Sequence, residues 1–111
     1  MLGVKDKGIL LQIIKRCNRV VEKVSNISEA EFSLNDDIKE VVCFNLFQIG
    51  ELANGLSVEF IKEYNKIPWK QIIGMRNRIV HGYDTINLKI VWSTAIESIP
   101  ELKSYCKEIL S

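Results

Sequence analysis

From Leu10 onward, apolar residues recur three and four positions apart. Leu10, Ile13, Ile14, Cys17, Val20, Val21 and Val24 form one stripe of a helix expected over about residues 7–24, with Lys15, Arg16, Arg19 and Lys23 on the remaining surface. The polar stretch 25–29 closes it. Ser33 or Asn35 offers a cap for a second helix, and Asp36 and Asp37 place negative charge where a helix N-terminus favours it. That second helix is expected over about residues 36–64. Its stripe is Ile38, Val41 or Val42, Asn45, Ile49, Leu52 or Ala53, Leu56 and Phe60, yet Cys43, Phe44, Leu46 and Phe47 add apolar surface on other faces. A helix of this kind needs cover on more than one side, from its own neighbours or from a second copy of the chain. Asn65 ends the pattern. Pro68 suits the first turn of a third helix, where its missing N–H costs nothing; Trp69, Ile72, Ile73, Met75 or Arg76, Ile79 and Val80 follow until Gly82 loosens it. Residues 84–87 read as a loop with Asn87 as a cap. A fourth helix carries Leu88, Val91, Ala95, Ile99, Leu102, Cys106 and Ile109, with Pro100 kinking or interrupting it. Without strand-like alternation, internal repeat or linker, the pattern predicts an all-α bundle of four or five helices forming one domain over residues 1–111.

Composition narrows the class. Of 111 residues 47% are hydrophobic and 26% charged, which argues against disorder, and two prolines with six glycines are too few for many tight turns. The longest apolar runs, such as Val41-Val42-Cys43-Phe44, fall far short of the roughly 20 residues a membrane span needs. Residues 1–7 lack the apolar core of a signal peptide, so a cytoplasmic protein with no membrane partner is expected. The net charge of +1 recommends no partner by itself, but residues 61–89 hold six basic and two acidic side chains. The basic set is Lys62, Lys66, Lys70, Arg76, Arg78 and Lys89, either a solvated face or a phosphate-binding strip. Cys17, Cys43 and Cys106 are widely spaced within apolar patterns and read as buried hydrophobes in a reducing compartment. With one histidine and no close Cys or His pair, no metal and no cofactor is expected.

One constellation can carry chemistry: Met75-Arg76-Asn77-Arg78-Ile79-Val80-His81-Gly82-Tyr83. His81 is the only side chain whose ordinary pKa, about 6.5, lets it trade protons near neutrality. Asn77 lies one turn before it on the same face, while Arg76 is around 140° off that face, with a side chain long enough to reach a shared cleft. An arginine that holds a phosphate beside a histidine that moves a proton is the minimum equipment for cutting RNA without metal. Each residue also has a plainer reading. His81 can be a surface or C-cap residue, Arg78 a solvated charge, Tyr83 a closure of the core, and Glu51 a hydrogen-bonded packing residue or a second acid.

The run Ile67-Pro68-Trp69-Lys70-Gln71-Ile72-Ile73-Gly74-Met75-Arg76-Asn77, continuing to His81 and Tyr83, resembles the signature of the HepT-like branch of the HEPN superfamily. The resemblance extends upstream through Asn45-Leu46-Phe47-Gln48-Ile49-Gly50-Glu51-Leu52-Ala53. Downstream it continues in Asn87-Leu88-Lys89-Ile90-Val91-Trp92 and in Ile99-Pro100-Glu101-Leu102. It is weakest over residues 1–35. It implies an all-α HEPN-like bundle that forms a homodimer, with the two Arg–His motifs meeting at a cleft between subunits. It further implies the toxin of a type VII HepT/MntA-type toxin–antitoxin system, a metal-independent ribonuclease acting on tRNA or mRNA. The partner would be an MNT-type nucleotidyltransferase antitoxin that silences the toxin by adding AMP to the tyrosine of the motif. Carried over by position, Arg76 and His81 are the catalytic pair, Asn77 the polar residue after the arginine, and Tyr83 the modification target, with Arg78 and Lys70 available for RNA phosphates. The competing expectations are a non-catalytic module that docks a nucleotidyltransferase and positions its substrate, and a small-ligand-binding regulator of that enzyme.

Overall fold

The computed structural model describes residues 2–82 and 86–111. Four long helical stretches carry the bundle. They are α1 (Val4–Val24), α3 (Asp36–Asn54), α5 (Trp69–His81) and a C-terminal stretch of α6 (Leu88–Ser93), a π-helical turn (Thr94–Ser98) and α7 (Ile99–Leu110). Two one-turn-and-a-half helices, α2 (Glu29–Leu34) and α4 (Val58–Glu63), sit in the connections. Helix α3 is central: α1 packs on one side of it and α5 on another, while α7 closes against α1. The molecule measures 45 × 28 × 19 Å, and its short dimension is that of two helix layers.

The expected stripes supply the core. Leu10, Ile13, Cys17, Val20 and Val24 of α1 are buried against Val42, Leu46, Ile49 and Ala53 of α3 and against Ile99, Leu102 and Cys106 of α7. All three cysteines are buried and unpaired; burial pushes the thiols of Cys17 and Cys106 up to about 12 and that of Cys43 up to about 11.

Three boundaries differ from the sequence expectation, each for a local reason. Helix α1 starts at Val4 rather than near Lys7, because Asp6 is drawn in to accept hydrogen bonds from the Ser57 backbone N–H (3.0 Å) and hydroxyl (2.7 Å). The same contacts end the idea of one helix over residues 36–64. Gly55 terminates α3, and Ser57 both donates to Asp6 and caps α4 by accepting from the Phe60 N–H, so the stripe continues through Leu56 and Phe60 while the backbone does not. Short α2 lies between the polar stretch 25–29 and the second expected helix, where no element is expected. Ser28 and Glu31 form a reciprocal capping box there, and Asn35, not Ser33, caps α3.

The fourth stretch is interrupted just ahead of Pro100, as expected, and takes a definite form. Proline offers no N–H and its ring crowds the carbonyl four residues back, and the backbone widens to a π turn over Thr94–Ser98, separated from Pro100 by Ile99. The Thr94 and Ser93 hydroxyls satisfy the Ile90 carbonyl, at 2.7 and 3.2 Å. The cover for α3 is divided: Cys43 and Leu46 are buried by the chain's own helices, whereas Phe44 remains 54% exposed under the Arg16 guanidinium, 5.6 Å from its ring centroid.

Candidate active site

The corner before α5 sets where that helix begins. Trp69 is buried, meets the Phe60 ring at a tilt of 59° with centroids 5.9 Å apart, and donates its indole N–H to the Tyr64 carbonyl at 3.1 Å. Pro68 takes the cap position rather than the first helical residue, with its carbonyl receiving the Gln71 and Ile72 amides. From this corner α5 runs along α3, and Gly50 decides how closely. A Cβ on Gly50 would overlap Cβ of Arg76 and lie 3.2 Å from the Ile72 carbonyl. Glycine in a helix interior costs about 1 kcal/mol relative to alanine, so here the lost propensity is exchanged for contact between two helix backbones.

Arg76 therefore emerges from α5 at the α3 seam. Its Nε pairs with the Glu51 carboxylate, the residue after Gly50, and its Nη1 donates to the Asn77 amide oxygen at 2.9 Å. Glu51 and Arg76 keep 43% and 29% side-chain exposure, so solvent screens the pair and its contribution to stability is about 1 kcal/mol or less.

The other flank of α5 is open. Asn77, Arg78 and His81 line a shallow groove completed by Ile86, Asn87 and Ile90, the last two from the start of the C-terminal stretch. Asn87 is held as expected, capping α6 through Lys89 N–H at 2.9 Å. A second groove, which shares Arg78 and Ile90 with the first, continues past Lys70, Gln71, Thr94 and Ser98. Lys70, Arg78 and His81 are exposed, and His81 stands in the last turn of α5, where Gly82 ends the helix. The arrangement thus brings Asn77 and His81 to one groove and ties Arg76 to Asn77. No hydrogen bond joins Arg76 to His81 among the described residues, and the arginine is held on the α3 side instead of swinging toward the histidine. Tyr83 lies outside the described residues.

The pattern alone leaves Glu51 between a packing residue and a second acid and gives Gly50 no part. Their signal was nonetheless present: a glycine and a carboxylate adjacent in the most apolar part of a helix are each out of place unless something approaches closely and brings a positive charge. Among the described residues no group of three or more His, Cys, Asp or Glu side chains could hold a metal ion, and no helix is long and apolar enough to cross a membrane.

Relatives match this chain along most of its length. A candidate RNase of Caldanaerobacter subterraneus is 37% identical over 101 residues, spanning 91% of this chain and 90% of the relative. A candidate RNase of Methanocaldococcus jannaschii is 31% identical over 97 residues, 87% of this chain and 89% of its own. A protein of Thermococcus cleftensis described as a HepT ribonuclease candidate is 27% identical over 97 residues, 87% and 88% of the two chains. No solved structure matches at a significant level. The profile of the family described as "Ribonuclease HepT-like" matches residues 10–109, which takes in both helices of the Arg76 seam and the whole His81 groove, and the chain belongs to that family.

Proposed function

We propose that the chain is a metal-independent ribonuclease that cleaves tRNA or mRNA and acts as the toxin of a type VII HepT/MntA-type module. The observation that carries this reading is the groove in which exposed His81, Asn77 and Arg78 converge, with Arg76 tied to Asn77 beside it, on a chain whose relatives are described as RNases. In the proposed step the ribose 2′-oxygen forms a bond to phosphorus and the bond to the 5′-oxygen breaks. One group takes the 2′-OH proton, another protonates the departing oxygen, and cationic donors stabilise the charge on the phosphoryl oxygens. His81 moves the proton, Arg76 holds the scissile phosphate, Asn77 sets the guanidinium, and Arg78 and Lys70 receive neighbouring phosphates along the joined grooves.

Two proton transfers and one histidine per chain favour a homodimer that gathers two motifs in one cleft. Its support is the apolar surface beside Arg76. Phe44, two turns before Glu51 on the same face of α3, is 54% exposed, and Val80, one turn after Arg76, is 58% exposed. The remaining parts of the reading rest on the family. They are a single cytoplasmic HepT-like domain over residues 1–111 and a partner MNT-type nucleotidyltransferase that transfers AMP to Tyr83, two residues past His81. A phosphate there would compete with RNA for Arg76 and Arg78. The rival reading, a non-catalytic module that docks the nucleotidyltransferase, draws on one observation: Arg76 faces away from His81 within the single chain.

The test is cleavage of total tRNA and a long mRNA by purified protein in chelator, with intact mass confirming that Tyr83 carries no AMP. Cleavage by the wild type, lost in Arg76→Ala and in His81→Ala, is the expected result. No cleavage of either RNA by unmodified dimer overturns the ribonuclease and leaves the docking module.

A further inference from the structure

The carboxylate on Arg76 has no part in the step just described, although that arginine would hold the scissile phosphate. We infer that Glu51 is a positioning residue of the site: from α3 it holds the Nε edge of the Arg76 guanidinium, while Asn77 holds Nη1, so that the remaining donors meet the phosphate in one fixed orientation. The inference rests on the ribonuclease reading.

Four observations converge on it. A guanidinium has five N–H donors in a rigid plane; Nη1 donates to Asn77, and Nε is ion-paired with the Glu51 carboxylate without a hydrogen bond, which leaves donors for a phosphate. Fixing two edges of a plane fixes the plane, which a single contact would leave free to rotate. Gly50 lets the two helices approach so that the carboxylate on the next residue reaches Nε, and Arg76 is in contact distance of α3 only because no Cβ intervenes. Both groups are partly exposed, so the pair is a weak stabiliser of the fold, and its place next to Asn77 is better accounted for by orientation than by stability. Finally, Glu51 does not line the groove that holds His81, so it is placed to act on the arginine and not to exchange protons with substrate. An arginine ordered before RNA arrives loses little rotamer freedom when it clamps the phosphate, and small errors in such placement lower turnover more than binding.

The deciding pair is Glu51→Gln, which keeps a polar oxygen beside Nε, and Glu51→Met, which keeps the stem and removes that oxygen. Both are near in size to glutamate, and melting temperatures close to wild type would verify that each folds. With RNA as substrate in chelator, Glu51→Met is expected to lower kcat about tenfold. Its KM should be unchanged or roughly twofold lower, because a negative charge beside the phosphate site is gone. Glu51→Gln is expected to stay within about threefold of wild type in kcat. A partly unfolded variant cannot lower KM, and a purely structural role would not distinguish two folded variants by that oxygen. Wild-type turnover in Glu51→Met, equal losses in both variants, or a loss carried by a raised KM would each overturn the inference. An inactive wild type would instead overturn the ribonuclease reading itself.

Discussion

Arg76 and His81 stand five residues apart on α5, yet the first is braced in the seam against α3 and the second faces an open groove. The seam side is dense. Gly50 is buried, two backbones approach, and the arginine has partners on two of its nitrogens. The groove side is loose, with exposed Asn77, Arg78 and His81 and a rim made by the chain re-entering at Asn87. The two chemical tasks differ in the same way. In the proposed step a group that orients a phosphate gains from rigidity, whereas one that takes and returns a proton must stay open to substrate.

The largest effect that would break this division comes from the two residues themselves. His81→Ala is expected to lower RNA cleavage by at least 10²-fold with no change in melting temperature, since an exposed side chain on the last turn contributes little packing. Arg76→Ala should cost a similar factor in activity, and in addition about 1 kcal/mol or less in stability as Glu51 loses its partner. Paired activity assays and thermal melts check both; a destabilised His81→Ala would show the groove to be structural.

Next in size is Gly50→Ala. The added methyl collides with Arg76 Cβ, not with a flexible tip, so α5 must move off α3. Overpacking of this kind costs about 2 kcal/mol and lowers the melting temperature by roughly 10 °C. Cleavage should fall about tenfold as the arginine shifts. Full activity in a destabilised Gly50→Ala variant would separate the seam from the chemistry and sink the idea that close helix approach sets the site.

How much of this was legible beforehand follows from what each residue's neighbours are. The stripes of α1, α3 and α7 could be read because a helix repeats in sequence what it buries in space. The break at Gly55 could not, because it depends on Asp6 reaching Ser57 across 51 positions, and the apolar stripe runs on regardless. The motif residues Arg76, Asn77 and His81 were legible by spacing and resemblance, and the angular offset of Arg76 from His81 was predicted by helix geometry. What spacing could not say was which way the arginine would turn, since its partner, Glu51, lies 25 positions earlier on another helix.

The core behind the seam offers a subtler check. Neutral thiols at Cys17, Cys43 and Cys106 are favoured in the fold, where burial pushes their values up to about 12, 11 and 12 from 9.0. The unfolded chain releases these protons near 9. The stability they contribute is therefore intact below that pH and is lost as pH rises toward 11–12. Wild-type protein at pH 8.5 should react with a thiol probe only as fast as it opens, and Gly50→Ala should raise that rate roughly tenfold for each 1.4 kcal/mol lost. His81→Ala should leave it unchanged. Equal labelling in the two variants would mean that the seam and groove open together.

The smallest effect concerns the rim. Lys70 and Arg78 are exposed and lie along joined grooves, so each would neutralise at most one phosphate and orient nothing. Replacing either by alanine should raise KM a few-fold, leave kcat near wild type, and reduce the salt-dependence slope of RNA binding by about 0.7, the value for one contact to a single strand. Binding measured between low and physiological salt checks this. At high salt, where counterions no longer reward the contact, the variants should converge with wild type. The pattern matters more than the size. A charge that only attracts loses its value in salt, whereas an arginine braced at two nitrogens acts through geometry, and Arg76→Ala should stay impaired at every ionic strength at which RNA still binds. If Arg78→Ala instead lowered kcat independently of salt, Arg78, which lies in the groove beside His81, would be the arginine that meets the scissile phosphate, and the braced Arg76 would become a support of the helix seam.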